Sequence, residues 1–181
     1  FCTIDAGMGQ VSVPDERLTK LAEMVHPGRI IPSVCDIVDI AGLVKGASQG
    51  EGLGNQFLGN IRETDAIIHV LRCFDNDNIV HVDGSVNPVR DKEIIDAELQ
   101  LKDLETVESR IQKVQKQAQT GGDKQAKQIY EVLVKYKEAL EQGLSARTVT
   151  FETKDEEKIA RELFLLTAKP VLYVCNVDEA S

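Results

Sequence analysis

The run VCDIVDIAGLVKGASQGEGLGNQFLG, residues 34–59, decides how this chain is read. Val34 to Ile40 is apolar and β-branched, interrupted only by Asp36 and Asp39, and predicts a buried strand. The strand ends in Asp39-Ile40-Ala41-Gly42, and a loop with glycines at 46, 50, 52 and 54 follows. Open α/β sheets place ligands where the carboxyl ends of buried strands meet such loops. In phosphate-binding proteins of that class, an aspartate so placed holds Mg²⁺ through water, and the glycine after it offers its N–H to the terminal phosphate. The bland alternative is an aspartate that caps a turn. Asp-x-x-Gly alone is a weak signal; the strand before it and the glycine loop after it strengthen it.

Upstream, Gly9 to Val13 alternates and predicts a strand. Asp15 caps a helix with Leu18, Leu21, Ala22 and Val25 at helical spacing, and Pro27-Gly28 ends it. Downstream, Gly54 to Thr64 predicts a helix with Phe57, Leu58 and Ile61 on one face. Residues 66–73, AIIHVLRC, form a continuous apolar run that suits a central parallel strand. His69 inside that run reads as a core residue rather than a ligand, and His26 and His81 lie near turns without metal-site spacing. Asp75-Asn76-Asp77-Asn78 lacks the glycine and distal glutamate of a calcium loop and reads as a polar loop.

From Glu93 the composition turns rich in Glu, Lys and Gln. Ala97, Leu104, Ile111 and Ala118 fall seven apart, with Leu101, Val107 and Val114 expected in the same stripe. After a turn at 120–122, capped by Asp123, Ala126, Leu133 and Leu140 repeat the spacing to Gly143. Two such helices joined by a tight turn predict an antiparallel hairpin. A third helix, Lys154 to Leu166, leads to a last strand, Pro170 to Cys175, and then to Asn176-Val177-Asp178-Glu179. Strand ends near Ile40, Cys73 and Cys175 are expected along one edge of a parallel sheet. The order predicts a doubly wound, mainly parallel α/β domain with a helical insertion.

The totals agree with a globular chain: 181 residues, 42% apolar, 28% charged. A net charge of −9 excludes polyanion binding by bulk field, so nucleic-acid contact needs a local basic patch. Cys2, Cys35, Cys73 and Cys175 form no C-x-x-C pair, and the last three lie in strand candidates. Buried, reduced thiols of a cytoplasmic protein are expected. No apolar run approaches the roughly 18 residues of a membrane span, and no signal peptide is visible. The chain opens at Phe1 without Met and reads as an internal piece.

Residues 39–74, DIAGLVKGASQGEGLGNQFLGNIRETDAIIHVLRCF, resemble the switch II region and following strand of the Obg-like P-loop NTPases. Phe1-Cys2-Thr3-Ile4 resembles the end of their switch I. The helical insertion and Asn176-x-x-Glu179 point within that group to the YchF family of ATPases, whose base motif replaces the Asn-Lys-x-Asp of GTPases. The resemblance implies a Ras-like G domain, in two parts at 1–92 and 168–181, around a coiled-coil insertion at 93–167. No G-x-x-x-x-G-K-[ST] loop occurs in the 181 residues, and no TGS domain. The piece alone is therefore expected to be inactive.

By this resemblance Asp39 holds Mg²⁺ through water, Thr3 ligates it when switch I closes, and Gly42 meets the γ-phosphate of ATP. Leu43 stands where many GTPases carry a water-orienting Gln, which an aliphatic side chain cannot replace. Its plain alternative is packing against the sheet. Asn176, Val177 and Glu179 form the base motif, with Asn176 contacting the base. Between Arg110 and Lys127 there are five basic residues, Arg110, Lys113, Lys116, Lys124 and Lys127, against one acid, Asp123. That patch suits ribosomal RNA or an acidic protein, and equally a solvated helix face. Three functions compete: a ribosome-associated ATP-hydrolysing switch, an Obg-type GTPase, and a helical interaction module on an inactive α/β scaffold.

Overall fold

The computed structural model describes residues 7–40, 53–76, 78–81, 84–119 and 123–179. The chain divides into two compact units, Phe1–Gly42 and Leu43–Ser181.

In the first unit, β1 (Gly7–Ser12) and β2 (Val34–Asp39) pair antiparallel, from Gly7 opposite Asp39 to Ser12 opposite Val34. Between them lies α1 (Glu16–Val25), capped as expected by Asp15, whose carboxylate accepts the Arg17 N–H at 2.9 Å. The Arg17 guanidinium donates to the same carboxylate, and holds it below its ordinary range. The helix ends one step earlier than Pro27-Gly28: His26 takes a left-handed φ of 45° and its N–H bonds the Ala22 carbonyl at 2.9 Å. β2 is not the buried strand expected, since all but Val38 is exposed. Among the described residues of this unit its ladder partner is β1, and a two-stranded ribbon with one short helix cannot cover both faces.

The second unit runs α2 (Leu53–Glu63), β3 (Ile67–Arg72), α3 (Pro88–Gln119), α4 (Lys124–Glu141), α5 (Lys154–Glu162) and β4 (Val171–Asn176). α2 buries Leu58 and Ile61, as its periodicity predicts. β2, whose end near Ile40 was expected in the same parallel sheet as β3 and β4, pairs antiparallel with β1 among the described residues. β3 and β4 pair parallel, from Ile67 opposite Val171 to Arg72 opposite Asn176, as expected. The pleat then sorts their side chains. His69 and Tyr173 oppose each other with ring centroids 5.7 Å apart, and the Lys92 ammonium of α3 stands 5.4 Å over the Tyr173 ring. Burial lowers the His69 pKa and so disfavours its charged form, and the half-buried ring packs against Tyr173. Ile68, Val70, Leu172 and Val174 lie on the opposite face and are exposed, so the run is buried on one side rather than two.

α3 and α4 form the expected antiparallel hairpin: Gln100 bonds Ser145, and Glu108 pairs with Lys137 at 2.9 Å. Asp123 caps α4 by accepting the N–H groups of Gln125 and Ala126 at 3.0 and 3.1 Å. Gly143, at φ +72°, turns the chain after it. α4 buries Ala126, Val132, Leu133, Tyr136 and Leu140. The stripe on α3 differs from the heptad reading. Leu99, Asp103 and Val107 are buried at intervals of four, while Ala97 and Leu101 are exposed. α5 carries a capping box, Thr153 with Glu156, and ends at Glu162 rather than Leu166. Lys135 of α4 reaches Glu156 at 2.6 Å, which fastens α5 to the hairpin.

Tyr136 packs edge-on against Phe151 at 5.4 Å within this core. Burial, and then the charge of Asp103, push its phenol up to about 12. A pKa raised by folding favours the neutral phenol in the native state, so its contribution is whole below about pH 10 and is lost as pH rises toward about 12. The unfolding midpoint should fall across that window, and Tyr136→Phe should flatten the fall. An identical alkaline slope in the variant would remove Tyr136 as its source.

Candidate functional site

The parallel pairing brings the carboxyl ends of β3 and β4 to one edge. Asn176 closes β4, and its carbonyl accepts the Cys73 N–H at 2.8 Å. Its side chain is exposed, as are Val177 and Glu179 beyond it. This part of the predicted site is therefore open to a ligand at a strand end, where α/β folds bind them.

Arg72, which opposes Asn176, was not singled out in the sequence. Its guanidinium donates to the carbonyls of Phe74 at 3.1 Å, Ile79 at 3.0 Å and Asn76 at 3.2 Å, and lies 4.9 Å over the Phe74 ring. One cation thus folds the polar loop after β3 back on itself, using Arg's rigid fork of donors. The signal was present: an arginine ending an apolar run. The loop leads to a second polar group, where His81 Nε2 and Asp91 Oδ2 are 3.0 Å apart. Arg90 donates to the other Asp91 oxygen at 3.1 and 3.2 Å, and to the Ser85 carbonyl at 2.6 Å. The carboxylate orients the imidazole through Nε2. Ten residues separate His81 from Asp91, a spacing that no local pattern flags.

Asp39 ends β2 in the first unit and is exposed. Among the described residues no group of three or more His, Cys, Asp or Glu is placed to hold a metal ion. A Mg²⁺ that also binds nucleotide phosphates needs only one or two protein carboxylates, and a lone exposed strand-end carboxylate fits that use. Thr3, Gly42, Leu43 and the glycines at 46, 50 and 52 lie outside the described residues. The cysteine expectation is corrected: Cys35 and Cys175 are exposed and Cys73 is half-buried, because β2 and β4 each leave sheet surface open. Burial and the neighbouring Cys175 thiol push the Cys73 thiol upward, which disfavours its thiolate.

At the far end of the hairpin Lys113, Lys116 and Lys124 are exposed and Arg110 is half-buried. Lys127 meets Glu131 only loosely, at 3.9 Å. Closer to the sheet the lysines are matched by acids, as at Lys137–Glu108 and Lys135–Glu156. The positive patch is therefore confined to the outer turns of α3 and α4. No helix among the described residues is long and apolar enough to cross a membrane.

A family model described as "50S ribosome-binding GTPase" matches residues 1–176. The chain is 54% identical over 179 residues to the "Ribosome-binding ATPase YchF" of Bacillus subtilis, covering 99% of this chain and 48% of that protein. The protein of the same name from Escherichia coli O157:H7 is also 54% identical, with 99% and 49% covered. Among solved structures, that of the Schizosaccharomyces pombe YchF GTPase superposes with a TM-score of 0.76 at 40% identity, covering 96% of this chain and 47% of that one. The chain thus spans about half the length of the relatives it matches.

Proposed function

The chain belongs to the YchF family of Obg-like P-loop NTPases, and on that premise we propose that it forms most of the nucleotide domain of a ribosome-associated ATPase switch. Its fold is the α/β nucleotide-binding fold of that family, with a helical hairpin inserted between β3 and β4. Residues 1–92 and 168–181 are the two parts of the nucleotide domain in this reading, and 93–167 the insertion. The observation that carries it is Asn176-Val177-Asp178-Glu179, exposed at the end of a parallel strand with no lysine at 177. Relatives named as ATPases support the choice of nucleotide.

In this reading Asp39 holds Mg²⁺ through water, with Thr3 as a further ligand, and the Gly42 N–H meets the γ-phosphate. The ion supplies charge neutralisation at the phosphates when bound. Leu43 excludes water from its side of the phosphate rather than orienting it, so the attacking water is positioned by another group. Asn176 and nearby backbone groups read the adenine amine.

The carboxylate at the fourth motif position decides the base. Guanine offers it N1–H and a 2-amino group, whereas adenine N1 is itself an acceptor. A carboxylate facing adenine N1 would leave two acceptors desolvated and unpaired, at about 1–3 kcal/mol. Glu179 must therefore stand away from the base, and guanine loses its partner. That difference corresponds to roughly 5- to 150-fold discrimination. The intact protein should show a higher kcat/KM for ATP than for GTP, and Val177→Lys with Glu179→Asp should shift the preference toward GTP. Equal values, or a preference for GTP in the wild type, would restore the GTPase reading that the family model's description favours.

The hairpin end is the ribosomal contact in this proposal, with Arg110, Lys113, Lys116, Lys124 and Lys127 facing RNA phosphates. Five neutralised phosphates imply a loss of affinity of roughly 500-fold between 50 and 200 mM salt, through counterion release. Reversing all five to Glu should abolish association of the intact protein with ribosomes and leave its unstimulated ATP hydrolysis in place. Unchanged association would return the patch to a solvated helix face.

A further inference from the structure

Several polar groups in the second unit have no part in the nucleotide chemistry proposed above, and they converge on one short segment, residues 165–170. Asp103 of α3 is fully buried. Its carboxylate accepts the Leu166 N–H at 2.8 Å, the Thr167 N–H at 2.7 Å and the Thr167 hydroxyl at 2.7 Å. The Thr167 oxygen accepts the Ala146 N–H at 2.9 Å, from the turn after α4. Arg147 of that turn donates to the Lys169 carbonyl at 3.1 Å. The Lys169 ammonium donates to the carbonyls of Arg62, at 3.1 Å, and of Thr64, the end of α2. Finally the Pro170 carbonyl accepts the Ile67 N–H at 2.9 Å, the first rung between β3 and β4.

Each bond has a physical reason to hold. A buried carboxylate is tolerated only with several donors, and this one has three from a single turn. The last carbonyls of a helix lack intrahelical partners, and a lysine there satisfies them and complements the helix dipole. The segment is therefore anchored to the hairpin on one side and grips α2 on the other. α2 is the helix that leaves the glycine loop, and β4 is the strand that ends in Asn176. Both are rigid: about 16 Å of helix and about 20 Å of strand separate the segment from the two nucleotide elements.

We propose that Lys169 and Asp103 are positioning residues of the nucleotide site: the hairpin, through the 165–169 turn, sets where α2 and β4 stand. The proposal rests on the reading of the glycine loop and of Asn176 as nucleotide elements. Any partner that shifts the hairpin then acts on both elements at once, without touching either.

Amide hydrogen exchange on the intact protein without nucleotide tests the tie independently of that reading. Lys169→Met should speed exchange at residues 61–64 and 171–176 by about fivefold or more, and Lys169→Arg should restore protection. Asp103→Asn, whose change lies on the hairpin, should expose the same two stretches. Exchange confined to 146–148 and 166–168 in Asp103→Asn would reduce the clamp to a local brace and overturn the proposal. Should that variant fail to fold, Lys169→Met decides alone. A second arm measures ATP hydrolysis: Lys169→Met should raise KM by about tenfold with little change in melting temperature, and Lys169→Arg should bring it back. Wild-type KM and kcat in Lys169→Met would overturn the positioning role. A wild-type protein that takes no nucleotide would instead defeat the ATPase reading and leave the exchange result to judge the tie.

Discussion

A carboxylate with no exposure to solvent, Asp103, sets the terms for the rest of the larger unit. Burial raises its pKa, while the donors of Thr167 and Leu166, and then the charge of Arg62, pull it back. Such a group is worth little as net stabilisation, but it is costly to break. Leaving it without its donors would forfeit about 1–3 kcal/mol or more for each orphaned partner. It therefore acts less as glue than as a constraint. Leu166 and Thr167 can occupy only the place where their N–H groups meet it, and Leu165, Leu166 and Thr167 are buried accordingly.

That constraint answers a topological need. Parallel strands require a crossover, and most crossovers are single helices. Here the chain leaves β3 at Arg72 and returns at Val171, having built α3, α4 and α5 on the way. A long excursion must be brought back in register, because a slip of one residue would turn every side chain of β4 to the wrong face. The hairpin carries its own core around Val107, Val132, Leu133 and Tyr136, and the clamp fixes the exit of that core to the entry of β4. The same arrangement separates chemistries. The exposed segment Asn176 to Glu179 stands at the end of β4, the basic patch at the far end of the hairpin, and the buried turn joins the elements that carry them.

Local signals in the sequence were reliable wherever one residue's chemistry decides. Asp15 and Asp123 cap helices because a carboxylate satisfies orphan N–H groups, and Gly143 takes a left-handed turn. The parallel strands and the hairpin followed from apolar runs and their periods. Readings that assumed a uniform environment failed. The heptad pattern placed Ala97 and Leu101 inside and did not mark Asp103, whose donors at 166 and 167 lie far along the chain. β2 looked buried because β-branched runs usually are, yet in its own unit it is half of a ribbon. Of the candidate site, Asn176, Val177 and Glu179 fall at the end of the strand that the apolar run from Pro170 predicts. An arginine ending an apolar run marked Arg72 but not its partners, which are backbone carbonyls, and the His81–Asp91 pair left no local mark because its members lie a loop apart.

The central claim is that the hairpin and the end of α2 are tied through one turn. Burial lowers the Lys169 pKa, and the charge of Asp65, and after it that of Asp103, opposes the depression. A double-mutant cycle on the unfolding free energy, combining Asp103→Asn with Lys169→Met, measures that tie most directly. The account predicts a coupling clearly above about 0.5 kcal/mol, since both residues hold the same turn. Additivity within about 0.3–0.5 kcal/mol would mean that the two groups act separately and would contradict it.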